Sequence, residues 1–504
     1  MTWLLLPSSG VGGIQPKSYP CFKVQFWSNL PLPYQTFDGD NLMGEHANTL
    51  ASQVSAEIEA RIRAGGLAVG ARLPSLRQGA QQFGVAKNTM VEAYDRLVAR
   101  GVLSVRPGSG FYVRQQFPAP AIPERPHLQQ AVDAATLLSE QLERRFRTRI
   151  GEGRPPSAWI EGVVATRHLR QALAGHGGKS GQHYDDPAGY LPLRETLAGM
   201  LAERAIKVDP TNIVMTFGGN HAFDLIIRQL VRPGDPVLVE SPGYYPLFAK
   251  LKLIGARMIP VTRTLRGPEP AMLDAAAKAS GARVFFTQSL AQNPTGGSLD
   301  LPTAHQILRV AEENGLTIVE DDIFGDLLPA TAPRLAALDG SQRVLLVGSF
   351  AKTLSATLRV GYVAGPPQLL GALQAMKMLT VVNSCGHTER VVNATLADGA
   401  YRRHLGRLRR RIMDSAGILS AWARELGMAV HVDPAGGYYA WLRLPDGVSD
   451  SDLARRAAER DIFLAPGSIF YPDGSPGQSR HLRMNVAYAG DARVPRFLAE
   501  QCFG

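Results

Sequence analysis

From Thr49 onward the chain takes on a helical period. Leu50, Val54, Ile58 and Ile62 recur every four residues, and the stripe ends at Gly65-Gly66. After a turn at Ala71-Arg72-Leu73-Pro74, Ser75 is placed to cap a short second helix that stops at Phe83-Gly84, where glycine accepts the left-handed conformation of a helix end. A third helix is predicted from about Lys87 to Arg100, with Met90, Ala93, Tyr94 and Leu97 on one face. Val102-Leu103-Ser104-Val105 and Phe111-Tyr112-Val113 then read as two short strands joined by Arg106-Pro107-Gly108-Ser109-Gly110, a hairpin wing. Three helices and a hairpin predict a small α+β domain over residues 47–114.

The pattern on either side differs. Residues 1–46 mix Gly, Pro, Ser and isolated aromatics without a sustained period, which predicts a disordered extension. Residues 115–158 carry Pro118, Pro120, Pro123, Pro126, Pro155 and Pro156 around a charged helical stretch from Leu137 to Arg149, the composition of a linker. Beyond Trp159, short apolar runs beginning at Ile213, Val237, Val284, Leu316 and Val344 alternate with longer helical patterns. That alternation predicts an α/β domain with a mostly parallel sheet over residues 159–504.

A chain of 504 residues exceeds what one hydrophobic core organises, in keeping with two domains. Three cysteines, Cys21, Cys385 and Cys502, are too few and too scattered for a disulfide framework or a metal cluster, so a reducing cytoplasm is expected. The start, Met1-Thr2-Trp3-Leu4-Leu5-Leu6-Pro7, lacks the basic region of a signal peptide. No later run approaches the roughly 18 apolar residues that a membrane helix needs, and no membrane partner is expected. The net charge of +10 and a pI near 9.6 favour a polyanionic partner.

Residues 50–114 hold nine Lys and Arg against four Asp and Glu, a local excess of +5 that concentrates the domain on a polyanion. In a helix-turn-helix the second helix of the pair enters the major groove by its N-terminal residues. Here that helix opens with Lys87-Asn88-Thr89: a cation for phosphate, an amide able to make two bonds to adenine, and a small hydroxyl. The run Gly70-Ala71-Arg72-Leu73-Pro74-Ser75-Leu76-Arg77, then Phe83 to Thr89, Leu97 to Gly101 and Arg106 to Phe111, resembles the GntR family of winged-helix repressors. The resemblance implies that Arg72, Ser75, Arg77, Lys87, Asn88 and Thr89 face double-stranded operator DNA, and that Gly108 sits in a wing over the minor groove.

The larger domain carries a second chemistry. A pyridoxal phosphate site needs a lysine for the Schiff base and a carboxylate that keeps the pyridine nitrogen protonated. Lys352, in Ser349-Phe350-Ala351-Lys352, and Asp321, at the end of Leu316-Thr317-Ile318-Val319, are the candidates. The phosphate needs backbone donors at a helix N-terminus, a hydroxyl and a cation. Gly219 and Asn220 follow a strand and open a helix, while Ser349 and Arg359 supply the other two groups. Asn293, in Asn293-Pro294-Thr295-Gly296, can donate to the ring's phenolic oxygen, and Tyr244 offers a face for stacking. Arg483 is placed to hold the carboxylate of a substrate or effector through two parallel bonds.

Together with Asp186-Pro187-Ala188-Gly189 and Glu320-Asp321-Asp322, these motifs resemble the fold type I aminotransferases. With the winged helix in front, the whole chain resembles the MocR subgroup of GntR regulators, in which an aminotransferase-like domain serves as the effector sensor. The resemblance implies pyridoxal 5'-phosphate as cofactor, a small amino effector and a homodimer carrying two DNA modules. One departure bears on activity: Phe324 stands where these enzymes commonly place a tyrosine, three residues after the aspartate. Without that hydroxyl the lysine-cofactor imine is expected to keep its proton to higher pH, a handicap for Lys352 as a base. Sensing is therefore expected above turnover, with an active aminotransferase bearing a DNA module as the alternative.

Two further patterns are set aside. Gly178-Lys179-Ser180 resembles the end of a P-loop, but Leu173 stands where its first glycine belongs. His46, His176 and His183 have no partner at metal-ligand spacing, so no metal site is expected.

Overall fold

The computed structural model describes residues 49–63, 67–114, 146–174, 184–431, 436–473 and 479–504. Residues 1–48, Gly178-Lys179-Ser180, His46, His176 and His183 lie outside that set. The chain divides into two compact units, one ending at Pro123 and the other beginning at Glu124.

In the first unit, helices α1 (Leu50–Arg63), α2 (Leu76–Phe83) and α3 (Lys87–Ala99) precede the antiparallel hairpin β1 (Leu103–Arg106) and β2 (Gly110–Val113). Ser75 opens α2 through a capping box with Gln78, and Gly84 closes it at φ +64°, a conformation costly for residues with a Cβ. Val54 and Ile58 of α1, Met90, Tyr94 and Leu97 of α3, and Leu103 and Val113 of the hairpin share one buried cluster. Each such side chain, fully buried, contributes about 1.5–3 kcal/mol. The Tyr94 hydroxyl finds its partner in the Pro74 carbonyl at 3.0 Å, which ties α3 to the turn before α2.

The second unit is built on an eight-stranded sheet. Its strands are β3 (Ile213–Thr216), β4 (Pro236–Ser241), β5 (Arg257–Thr264), β6 (Gly267–Pro268), β7 (Val284–Thr287), β8 (Thr317–Asp321), β9 (Val344–Ser349) and β10 (Gly361–Ala364), in the order β3-β10-β9-β8-β7-β4-β5-β6. Adjacent strands among β4, β5, β7, β8 and β9 pair in parallel, while β10 lies antiparallel between β3 and β9. Helices cover both faces, so the central strands are apolar on both: Leu238, Phe285, Ile318 and Leu346 enter one core, Val239, Phe286, Val319 and Leu345 the other. A three-stranded antiparallel sheet follows, ordered β11 (Tyr439–Arg443), β13 (His481–Asn485), β12 (Ala465–Pro466). No helix among the described residues is long and apolar enough to cross a membrane.

The segment 146–158, which its prolines and charges place in the linker, instead runs through this unit. Phe463 donates its amide to the Thr148 carbonyl at 2.8 Å, Gly151 donates to the Phe463 carbonyl at 2.8 Å, and Asn485 donates to the Ile150 carbonyl at 2.7 Å. Ile150 is fully buried. These tertiary bonds override the helical charge pattern, and residues 146–149 are not helical; the rest of that stretch, residues 137–145, lies outside the described residues.

Candidate functional site

Sheet register gathers the site. Gly361, at the start of β10, pairs with Thr216 at the end of β3 and with Ser349 at the end of β9. One strand reversal thus brings together the turn after Thr216, the Ser349 hydroxyl and Arg359. A Cβ on Gly361 would lie 2.6 Å from the Gly218 Cα, so only glycine permits this approach. Asp321 ends β8, paired with Val347 of β9, five residues before Lys352.

The turn after β3 is a helix start. Gly218, at φ +78°, precedes the helix Gly219–Leu230, and no side chain caps it. Its first amides therefore point out toward whatever occupies the space beyond. Arg359 lies across this turn: its Nη2 donates to the Phe217 carbonyl at 2.8 Å and would lie 3.1 Å from a Cβ on Gly218. Arg359 itself has φ +52°, a strained backbone for a residue with a side chain, costing on the order of 1 kcal/mol.

A cavity of about 500 Å³ is lined by Gly219, Asn220, Tyr244, Asp321, Ser349, Lys352 and Arg359, together with Arg154, Phe223, Ile323 and Ala356. Seven of the eight residues that the sequence puts around the cofactor thus share one wall. Asn293 stands apart, in a smaller adjoining space that also touches Phe223, Tyr244 and Asp321. Its side-chain oxygen accepts from Arg483 Nη1 at 3.1 Å.

Arg483 lines neither cavity. It is 1% exposed, donates to the Gly151 carbonyl at 2.7 Å, and lies over the rings of Tyr439 and Phe470 at 4.7 and 5.0 Å. Its Nε has no hydrogen-bond partner among the described residues. A buried guanidinium with an orphaned donor is an incomplete arrangement, since such a group costs free energy until an acceptor reaches it.

Electrostatics follow from burial. Desolvation first, then the guanidiniums of Arg483 and Arg154, push the Lys352 amine down to about 7. Desolvation pushes the Asp321 carboxyl up to about 7, although the Ile323 amide and Lys352 pull the other way. Both groups therefore titrate near neutrality. Asp322, just past the end of β8, is buried between Arg334 at 3.4 Å and Arg204 at 3.7 Å, which explains how a second carboxylate can directly follow Asp321.

The donor set fits pyridoxal phosphate. A helix N-terminus, a hydroxyl and a guanidinium match a phosphate; an amine that loses its proton near neutrality matches an aldehyde; a buried carboxyl matches a pyridine nitrogen. Sequence reasoning missed the segment Gly151-Glu152-Gly153-Arg154. Lys352 Nζ donates to the Gly153 carbonyl, as does the Tyr439 hydroxyl at 3.0 Å, and Arg154 lines the cavity. The signal was two glycines ahead of a proline pair, read as linker. Phe324 is fully buried, edge-on to Tyr438 and Tyr439 at 5.7 and 5.5 Å.

In the first unit, Arg72, Ser75, Arg77, Lys87 and Asn88 are exposed and Thr89 is half-buried. Ala86 gives α3 no side-chain cap, which leaves its first amides to an external acceptor. Ser75 is occupied in capping, its hydroxyl donating to Gln78 Oε1 at 2.8 Å. Gly108, at φ +73°, is exposed in the hairpin turn, where Arg106 lies over the Tyr112 ring at 4.4 Å.

Comparison with known proteins matches both units. The profile of aminotransferase class I and II covers residues 152–500, and that of the gntR family of bacterial regulatory proteins covers residues 50–113. The chain is 29% identical to the probable rhizopine catabolism regulatory protein MocR of Rhizobium meliloti, over 87% of this chain and 90% of that one. It is 32% identical to the 2-aminoadipate transaminase of Thermus thermophilus, over 64% of this chain and 80% of the enzyme. The structure of LysN, the α-aminoadipate aminotransferase of that organism, complexed with N-(5'-phosphopyridoxyl)-L-leucine, superposes with a TM-score of 0.67 at 27% identity, covering 74% of this chain and 96% of that one. The chain belongs to the aminotransferase class I and II family, whose cofactor is pyridoxal phosphate, and joins to it the DNA-binding domain of the gntR regulators, as MocR-type transcription regulators do.

Proposed function

We propose that this regulator senses a small primary amine through Lys352 and the residues around it, and reports the binding event to operator DNA held by Lys87, Asn88, Thr89, Arg72, Ser75, Arg77 and Gly108. The observation that carries the reading is the single cavity shared by Lys352, Asp321, Gly219, Asn220, Ser349, Arg359 and Tyr244. The bound cofactor supplies an aldehyde that takes up primary amines and a ring that withdraws electrons.

The chain's own residues do the rest. Gly219 and Asn220 present amides, and Ser349 and Arg359 a hydroxyl and a charge, to anchor phosphate. Tyr244 covers one ring face, Asp321 holds a proton toward the ring nitrogen, and Asn293 orients the phenolic edge. Arg483 receives a carboxylate on the effector, which completes its orphaned Nε. Lys352 would hold the cofactor's aldehyde, and once displaced by an incoming amine its own amine would take up a proton near neutrality. The reading includes a homodimer carrying two DNA modules, in the cytoplasm.

One observation favours a second reading, a working aminotransferase. An amine at about 7 is matched to proton transfer at neutral pH. The deciding experiment titrates the cofactor-loaded protein with amino acids and amines, following absorbance and DNA binding together. A spectral shift that alters DNA affinity without product supports sensing; multiple turnover with an amino donor and a 2-oxo acid supports the enzyme.

A further inference from the structure

The net charge of the chain is unevenly placed. Of the total of +10, residues 50–114 contribute +5, and the helix Ala400–Glu425 contributes another +5, with seven Arg against Asp414 and Glu425. All other residues together balance to zero. A second concentration of positive charge, equal to that of the DNA-binding domain, therefore sits on one helix of the aminotransferase-like unit.

Packing explains which face carries it. Tyr401, His404, Leu405, Leu408 and Ile412 are buried in the large core, and Arg402, Arg403, Arg407, Arg409, Arg410 and Arg411 are all exposed on the opposite side. Within those ten residues there is no acid. Arg402 pairs with Glu203 at 2.7 Å. Among the described residues, Arg409 and Arg411 donate only to backbone carbonyls, of Leu327 and Asp326 and of Ala158 and Trp159, which orient a guanidinium without neutralising it. Arg407 and Arg410 have no hydrogen bond or ion pair among the described residues.

Arg403, Arg407 and Arg410 are spaced four and three apart, so they stand on successive turns of one stripe about 10 Å long. Like charges on adjacent turns repel, and the arrangement is unfavourable until a polyanion meets it. A duplex offers one negative charge per roughly 1.7 Å of axis and exchanges its counterions for just such a stripe.

We infer that the exposed arginine face of the Ala400–Glu425 helix is a second DNA-binding surface, contacting phosphates of double-stranded DNA independently of sequence. Specificity then rests with the α3 helix, and the arginine face adds affinity and salt sensitivity.

The test uses the full chain, loaded with cofactor, and a mixed-sequence duplex of about 60 base pairs, with affinity measured by fluorescence anisotropy from roughly 50 to 300 mM KCl. Each phosphate contact contributes about 0.9 to the slope of log affinity against log salt. The triple variant Arg403→Gln, Arg407→Gln, Arg410→Gln is expected to lose about 2.7 from that slope and on the order of 100-fold in affinity at the low-salt end. The same three positions changed to lysine are expected to restore most of both, because phosphate needs charge rather than a planar fork. In a Lys87→Ala, Arg72→Ala background the glutamine changes are expected to remove the residual binding. Since the three side chains are exposed and glutamine sustains a helix, the cofactor absorbance stays at the parent value and the melting temperature does not fall. An unchanged slope overturns the inference. So does an unchanged slope on DNA accompanied by lost binding to anionic vesicles or to single-stranded RNA, which would assign the face to another partner.

Discussion

The Lys352 ammonium and the Tyr439 hydroxyl donate to one acceptor, the Gly153 carbonyl oxygen. A lysine and a tyrosine from separate parts of the fold are thereby held against the segment 151–154, which carries the guanidinium of Arg154 into the same cavity. Lys352 is thus shielded from water, and burial together with the Arg483 and Arg154 guanidiniums outweighs the Glu152 and Asp321 carboxylates, so its proton is held less tightly than on an ordinary lysine.

Cofactor capture should follow that proton. Only the neutral amine attacks an aldehyde, so the rate of colour development on mixing the stripped protein with pyridoxal phosphate is expected to rise with pH and level off with a midpoint near 7. An ordinary lysine would keep accelerating beyond pH 9. The linkage has a sign: because the folded value lies below the unfolded one, the folded chain binds fewer protons between about 7 and 10.5, and this lysine's burial costs less as pH rises through that window. Lys352→Met is expected to remove that contribution from the melting temperature of the stripped protein.

The phosphate end is tested by a methyl group. Gly218→Ala places a Cβ 3.1 Å from Arg359 Nη2 at a backbone φ of +78°, so it both strains the turn and displaces the guanidinium. A loss of about 1–2 kcal/mol in stability and at least tenfold in cofactor affinity is expected, read by thermal melting and by equilibrium dialysis. Unaltered cofactor affinity would remove Arg359 and the turn from the phosphate site.

Phe324→Tyr returns the hydroxyl that related enzymes use. If the group reaches the ring's oxygen, the pH midpoint of the visible absorbance band falls, by about one unit. If it stays among Tyr438 and Tyr439 without a partner, the variant loses about 1–3 kcal/mol instead. The first outcome is expected, and an unmoved band with a lower melting temperature would contradict it.

Much of this architecture was legible in the chain because its determinants are local. Ser75, Gly84 and the Met90, Ala93, Tyr94, Leu97 stripe mark the winged helix, and the apolar runs at Val284 and Val344 mark buried parallel strands. Lys352, Asp321, Ser349 and Arg359 could be named since each sits at a strand end or in a turn. The segment 146–158 could not be placed, because its bonds are to Phe463 and Asn485, more than 300 positions away. Tyr439, 286 positions from Gly153, and Arg154 were hidden in the same way by long sequence separation. Arg483 was identified, but its burial behind Tyr439, with Nη1 on Asn293 and Nη2 on Gly151, depends on packing that no spacing reveals.

On the DNA side, the two leading residues of α3 should separate cleanly. Lys87→Ala is expected to weaken binding about equally on all sequences and to lower the salt slope by about 0.9. Asn88→Ala is expected to cost about 1–3 kcal/mol on the preferred operator alone, relaxing discrimination at one base pair. Competition binding over a set of single-base operator variants distinguishes the two; equal loss across all variants for both would place Asn88 on phosphate.

The proposed sensor requires that Lys352 bond the cofactor within a chain that also binds DNA. Borohydride reduction of the loaded full-length protein, followed by peptide mass spectrometry, tests it directly. The account predicts one added phosphopyridoxyl group per chain, on the peptide containing Lys352, and none after Lys352→Ala. A label on any other lysine, or an unlabelled Lys352 in protein that retains its colour, would contradict it.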